Sequence, residues 1–130
     1  MILYYFLTIT IAWILSVIIK ASISKSFKAG FKNGGMPSQH TTAISSITFA
    51  ILFAEGLTST FFLAIVLLSI IMVDASGLRY SVGKQGTLLN SLVKKPEDKL
   101  ELVNGHTKKQ VFYGLLLGFF TALTIFLIMF

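Results

Sequence analysis

Three short polar clusters carry the side chains best suited to acid–base or phosphoryl chemistry. The first is residues 33–40, NGGMPSQH, in which Gly34 and Gly35 precede Ser38 and His40. Paired glycines permit positive-φ turns whose successive N–H groups bind an anion, and the N-terminus of a helix capped by Ser38 favours a phosphate or carboxylate. The segment therefore predicts an anion site that His40 can protonate. An ordinary glycine turn and helix cap is the alternative.

The second cluster is residues 74–79, DASGLR. Asp74 follows a long apolar run and needs a partner there, and Arg79 is a suitable one. The planar guanidinium of Arg79 also matches the oxygens of a phosphate. A purely structural Asp–Arg pair is the alternative.

The third cluster is residues 105–110, GHTKKQ. His106 and Gln110 are four residues apart and share one face of a helix. The Gln110 side chain is therefore able to accept a hydrogen bond from one imidazole nitrogen and fix the tautomer, leaving the other nitrogen for chemistry. A histidine beside the basic start of a helix is the alternative.

Taken together, the clusters indicate phosphoryl transfer without a metal or other cofactor. One imidazole would attack phosphorus, the other would protonate the leaving oxygen, and Arg and Lys would stabilise the equatorial oxygens. The sequence has no cysteine and only two histidines, which excludes thiolate catalysis and the usual zinc-ligand sets.

The elements that position these residues are predicted to be membrane helices. Of the 130 residues 55% are apolar and 12% charged, with a mean hydropathy of +0.83, which is too apolar for so short a soluble domain. We expect one domain, residues 1–130, folded as an all-α polytopic bundle with amphipathic interfacial helices within Lys20–Gln39 and Leu78–Val93. The expected spans are about residues 1–19, 38–54, 58–75 and 111–130. The first is expected to be a retained helix and not a signal peptide, because no basic segment precedes it.

Small and hydroxylated residues predict how the helices pack. The second helix is rich in Ser and Thr, which prefer a bundle interior or bond back to their own helix. Thr58 or Ser59 is expected to cap the third helix. Gly114 and Gly118 lie four residues apart in the last helix and allow a close helix contact, within the chain or in a homodimer, the alternative being glycines that are simply tolerated in a membrane helix.

The distribution of charge predicts the orientation. All eleven Lys and Arg residues lie in Lys20–Lys32 or Arg79–Lys109, and the net charge is +6. By the positive-inside rule both segments face the cytoplasm and both termini lie outside, and four spans necessarily put the two basic segments on the same face. The expected partner of this basic face is the bilayer and a phosphorylated lipid, and not nucleic acid.

The motifs resemble the divergent branch of the phosphatidic acid phosphatase type 2 superfamily, which is related to vanadium-dependent haloperoxidases. The resemblance runs nearly end to end, through Lys20, GGMPSQHTT, DASGLRYSVGKQGTLLN and GHTKKQVFYG. It implies a phosphatase that works through a covalent phosphohistidine without a metal. It further implies His106 as nucleophile, His40 as general acid, and Lys20, Ser38 and Arg79 as phosphate ligands.

Three positions depart from the pattern of that branch. Gln110 stands where an acidic residue is usual, Tyr80 where a second arginine is common, and Lys32 where an arginine often precedes the glycines. A neutral partner stabilises a developing imidazolium less well than a carboxylate does. Asp74 is the residue expected to supply the missing negative charge.

The leading prediction is a membrane lipid phosphate phosphatase at the cytoplasmic face of a prokaryotic-type plasma membrane. Its substrate would be a phosphomonoester such as phosphatidic acid or a phosphatidylglycerophosphate-like lipid. The alternative is a non-catalytic membrane protein that binds anionic headgroups or a partner protein. A transporter is disfavoured because the two halves of the chain show no internal repeat.

Overall fold

The computed structural model describes residues 1–30, 35–102 and 105–130, and these residues form helices joined by short loops without any strand. The α-helices are α1 Ile2–Ser24, α2 Phe27–Gly30, α3 Gln39–Glu55, α4 Ser59–Val73, α5 Arg79–Leu92 and α6 Lys108–Met129. A π-helical turn, Asp74–Leu78, joins α4 to α5, and a 3-10 turn, Pro96–Asp98, follows α5. The all-α prediction is confirmed.

Three helical stretches are long and apolar enough to cross a membrane: Ile2–Ser24, Ser59–Leu92 and Lys108–Met129. They correspond to the first, third and fourth predicted spans. The predicted second span is α3, which has 17 residues. At 1.5 Å per residue α3 is about 25 Å long, somewhat less than the ~30 Å of a hydrocarbon core. Length and composition therefore identify three spans and not the four expected.

The first helix is longer than the hydropathy indicated. It continues past Lys20 to Ser24 and ends at Lys25, whose φ of 51° is left-handed. Within the predicted amphipathic stretch Lys20–Gln39, the described residues after α1 form the four-residue helix α2. The first part of the predicted stretch, up to Ser24, belongs to α1 instead, and residues 31–34 lie outside the described residues, so an amphipathic helix beyond α1 is not confirmed.

The junction between α4 and α5 is a continuous helix, and not the helix end predicted near Ala75. The N–H of Arg79 bonds to the carbonyl of Asp74, five residues back, which defines a π-helical turn. Such a turn accommodates an extra residue while keeping the backbone hydrogen-bonded, as the edge of a lipid layer requires. The helix predicted separately at Leu78–Val93 is therefore α5, which forms the second part of the 34-residue helical stretch Ser59–Leu92.

Helix α3 is the centre of the bundle and packs against α1, α4 and α6. Its hydroxyl side chains are fully buried, namely Thr41, Thr42, Ser45, Ser46 and Thr48. Thr42 Oγ1 donates to the Ser38 carbonyl at 2.9 Å, and Thr48 Oγ1 to the Ile44 carbonyl at 2.8 Å. Both predicted fates of these side chains, the bundle interior and a bond back to the helix, are confirmed.

Helix α6 approaches α3 at two glycines. A Cβ built on Gly114 would lie 2.7 Å from the Ser38 carbonyl oxygen, and one built on Gly118 would lie 2.6 Å from the Thr42 carbonyl oxygen. The predicted close contact is confirmed, and it lies within one chain. Because α3 occupies this face, the two glycines are not available to form a homodimer.

Replacing Gly118 with Ala is expected to weaken the contact between α3 and α6. The added methyl group would lie 2.7 Å from the Ser46 backbone nitrogen as well as against Thr42, and backbone atoms cannot move aside cheaply. We expect a loss of about 1–3 kcal/mol, typical of overpacking, measured as a lower unfolding temperature in detergent. Gly77→Ala is the control, since a Cβ on Gly77 meets nothing within 4 Å. Equal stability of the two variants would contradict this packing.

Candidate active site

His106 is held against the π-helical turn by its backbone. Its N–H donates to the Ala75 carbonyl at 2.9 Å. The preceding residue, Gly105, lies so close to α5 that a Cβ there would sit 2.5 Å from the carbonyl carbon of Arg79 and from Cα of Tyr80. These contacts bury His106, which is 6% exposed. The π-helical turn, which the sequence did not predict, therefore holds the backbone of His106 in place.

The hydrogen bond to Gly35 fixes the tautomer of His106. Its Nδ1 lies 2.9 Å from the Gly35 carbonyl oxygen. Because a carbonyl oxygen only accepts, Nδ1 carries the hydrogen, and in the neutral ring Nε2 carries the lone pair. Gly35 has a φ of 84°, so its predicted positive φ is confirmed. Gly34 and Lys32, predicted to belong to the same anion site, lie outside the described residues.

Lys20 reaches the same place from α1. Its side chain is buried, with Cε 3.1 Å from the position of a Cβ built on Gly35. Its ammonium nitrogen lies 3.5 Å from Oε1 of Gln39, and the Gln39 amide donates to the Gly30 carbonyl at 2.8 Å. A buried ammonium group thus lies beside the glycine that holds His106.

Burial lowers the pKa of His106, and electrostatic interactions with Lys20 and His40 act in the same direction. Hydrogen bonds with the Gly35 carbonyl and the Gln110 side chain oppose the shift. The imidazole is therefore neutral at pH 7, in the form that has a nucleophilic nitrogen. His40 lies exposed in the first turn of α3, at the same end of the bundle.

The lowered pKa predicts how stability changes with pH. An unfolded histidine titrates near ~6.5, so below that pH the unfolded chain binds a proton that folded His106 does not. Stability should consequently fall as the pH drops through this window towards the lower pKa of the folded state, and His106 should add nothing to the slope above about pH 7.5. We expect the unfolding temperature to fall between pH 7.5 and 5, and to fall less in His106→Gln. An equal fall in both proteins would contradict the burial of a neutral imidazole.

Ser38 is the N-cap of α3, as predicted. Its fully buried hydroxyl accepts from the Thr41 backbone N–H at 3.5 Å and from Thr41 Oγ1 at 3.0 Å. Its own N–H donates to the Gln110 carbonyl at 3.2 Å. Ser38 therefore ties the start of α3 to the start of α6, and its binding of phosphate stays a prediction.

Gln110 mainly organises the start of α6. Its side-chain oxygen accepts from the Thr107 N–H at 2.9 Å, and its N–H donates to Thr107 Oγ1 at 3.3 Å, which forms a capping box. The Gln110 side chain also raises the pKa of His106, and the hydrogen bond by which it would fix the tautomer stays a prediction. The Gly35 carbonyl, however, is the partner that fixes the tautomer.

Asp74 and Arg79 form an ion pair with each other, with Nε 2.5 Å from Oδ2. Both side chains are partly exposed, at 31% and 47%. In the part of the chain that the structure describes, neither side chain hydrogen-bonds to His106. Their connection to it runs through the backbone of Ala75 and Gly105. The predicted pairing of Asp74 with Arg79 is confirmed, while phosphate binding by Arg79 and a catalytic role for Asp74 stay predictions.

Two features of the site were not predicted from the sequence. One is the capping box, whose signal Thr107-Lys108-Lys109-Gln110 matches the T-x-x-Q pattern. The other is the close approach of Gly105 to α5, for which a glycine directly before the histidine was the only local signal. Both control where the imidazole of His106 lies.

Comparison with known proteins agrees with this architecture. The model of the divergent PAP2 family matches residues 1–121. The uncharacterized membrane protein YuiD of Bacillus subtilis (strain 168) is 31% identical over 111 residues, which cover 71% of this chain and 70% of that protein. No solved structure matches the chain. With helices that can cross a bilayer, this chain is an integral membrane protein and belongs to the divergent PAP2 family.

Proposed function

We propose that this protein is a lipid phosphate phosphatase that hydrolyses a phosphomonoester headgroup through a phosphohistidine on His106. The observation that carries the proposal is the neutral, buried imidazole whose Nδ1–H is bonded to the Gly35 carbonyl, beside the buried ammonium of Lys20. An imidazole fixed in this tautomer presents the lone pair of Nε2 as a nucleophile. Membership of the PAP2-related family supports the same type of chemistry.

The reaction would proceed in two displacements. In the first, Nε2 of His106 bonds to phosphorus, the bond from phosphorus to the lipid oxygen breaks, and protonated His40 gives its proton to that oxygen. In the second, His40 takes a proton from water, the resulting hydroxide attacks phosphorus, and the bond to His106 breaks to release phosphate. Lys20 would stabilise negative charge on the equatorial oxygens in both steps.

The proposed topology follows from charge and packing. We place α3 across the membrane as the fourth span, because it lies between α1, α4 and α6 and turns its hydroxyl groups inward. With an even number of spans, the basic segments share the cytoplasmic face and both termini lie outside. The bacterial relative supports a plasma membrane of prokaryotic type.

Phosphate release from lipid vesicles tests the proposal. The purified protein, in the presence of a metal chelator, is expected to release phosphate from vesicles containing dioleoyl phosphatidic acid, with many turnovers per protein molecule. Vesicles of dioleoyl phosphatidylcholine are the control and should yield none. Absence of turnover from phosphatidic acid and from phosphatidylglycerophosphate would overturn the proposed activity.

A second function is favoured by one specific observation. Among the described residues no carboxylate is bonded to His106, since Gln110 closes the capping box and Asp74 is paired with Arg79. A site without that carboxylate suits a protein that binds anionic headgroups without hydrolysing them. Such a protein would bind vesicles of phosphatidic acid in a salt-dependent manner, with no phosphate released and no effect of His106→Ala.

A further inference from the structure

An open groove lies beside the candidate site, between the end of α4 and the start of α6. It has a volume of about 410 Å³, within the ~300–1,000 Å³ range of ligand pockets. Its lining residues are Met72, Val73, Ser76, Lys108, Val111 and Phe112. Apolar side chains from two membrane-spanning stretches therefore form a groove with a lysine at one end.

Two residues that line the groove are close in sequence to residues of the candidate site. Lys108 is the first residue of α6 and lies two residues after His106, and Ser76 belongs to the π-helical turn that bonds to His106 through Ala75. Val73 is 71% exposed and Phe112 is 53% exposed, so the apolar part opens sideways towards lipid. Lipid is consequently the molecule present at this surface at the highest concentration.

Charge distinguishes this groove from its neighbour on the other side of Val73. The neighbouring groove, of about 420 Å³, is lined by Ser69, Ile70, Val73, Asp74 and Leu78, and the carboxylate of Asp74 at its polar end is already paired with Arg79. The groove of α6 has the ammonium of Lys108, for which the described residues provide no acidic partner. Of the two grooves, only the one between α4 and α6, with the ammonium of Lys108, attracts a negatively charged headgroup.

We propose that the groove between α4 and α6 binds one acyl chain of an anionic membrane lipid whose headgroup is bound by Lys108. The proposal deepens the proposed function, and rests on it only for the identity of this lipid as the substrate. A lipid bound in this way has its headgroup at the level of residues 106–108, next to the imidazole. Binding itself requires no turnover, so the two proposals can fail separately.

Quenching of tryptophan fluorescence by brominated lipids tests this binding directly. Trp13 is the single tryptophan, so the background is Trp13→Phe, and Phe112→Trp places the reporter in the groove. Nanodiscs contain either brominated phosphatidic acid or brominated phosphatidylcholine, with bromine at the same acyl position. One lysine near a membrane surface contributes about 1 kcal/mol to binding of an anionic lipid, so we expect about five-fold stronger association of the acidic lipid at this reporter.

Matched variants identify the residues responsible. Lys108→Ala should reduce the five-fold preference to about equal quenching, whereas Lys109→Ala, its exposed neighbour outside the groove, should leave the preference in place. Val73→Phe should lower quenching by both lipids because the ring fills the groove. Val66→Phe, the same change on α4 two turns away, should not. A reporter at exposed Phe120 on α6, made by Phe120→Trp, should show no preference.

Two results would overturn the inference. One is equal quenching by the two lipids at position 112 in the protein with Lys108, and the other is an equal loss of preference in Lys108→Ala and Lys109→Ala. If the preference is found but no phosphate is released, the groove is a lipid site and the proposed activity alone is wrong. If phosphate is released without the preference, the activity stands and this groove is not where the lipid binds.

Discussion

Replacing His106 with Gln is expected to lower the rate of phosphate release from vesicles of phosphatidic acid by roughly 10³-fold or more. The change removes the atom that would bond to phosphorus, and only binding and electrostatic contributions remain. His40→Gln should lower phosphate release by about 10²–10⁴-fold, the typical cost of losing a general acid. Both losses are measured as rates of phosphate release relative to the wild-type protein. Each variant is reconstituted in the same amount as the wild type and assayed at several enzyme concentrations.

A phosphoenzyme assay separates the roles of the two histidines. With a ³²P-labelled substrate whose leaving group is an aryl oxide, the first displacement needs no proton from His40. His40→Gln should then accumulate label, because its second displacement lacks a base, and the label should be released by acid and not by alkali. His106→Gln should take up no label from any substrate. Labelled His106→Gln protein would show that another residue forms the covalent bond.

Helix positions and caps were accessible from the sequence because they depend on local patterns. The predicted second span, about residues 38–54, is α3 Gln39–Glu55, and Ser38 and Thr58 are the caps of α3 and α4. Each cap hydroxyl accepts a backbone N–H three residues on, which requires no knowledge of distant residues. The predicted end of helix three near Ala75 was wrong, because a π-helical turn has no comparable signal.

The geometry around His106 depends on contacts between residues far apart in the sequence. Gly35 and His106 meet across 71 positions, and the carbonyl that fixes the tautomer has no side chain to indicate its role. The distribution of charge and the expected number of spans predict that both histidines lie on one face of the membrane. They could not show that the π-helical turn supports His106, because that contact is made by backbone atoms.

Gly105→Ala is expected to lower phosphate release by about 100-fold while the protein remains folded in the membrane. The methyl group would sit 2.5 Å from the carbonyl carbon of Arg79 and closer still to the backbone nitrogen of Tyr80. Since α5 cannot yield at backbone atoms, the segment carrying His106 must move away from Ala75. A displacement of about 1 Å in a catalytic group is enough for a loss of this size.

The pKa of His106, followed by NMR, distinguishes displacement from general destabilisation. In the wild-type protein burial holds this pKa below the usual value, and movement away from the π-helical turn exposes the ring. The pKa in Gly105→Ala should therefore rise towards ~6.5. Gly77→Ala is the matched control: it adds the same methyl group in the π-helical turn where nothing lies within 4 Å, and it should leave both turnover and the pKa unchanged. Full activity in Gly105→Ala would mean that the backbone support of His106 is not what positions it for reaction.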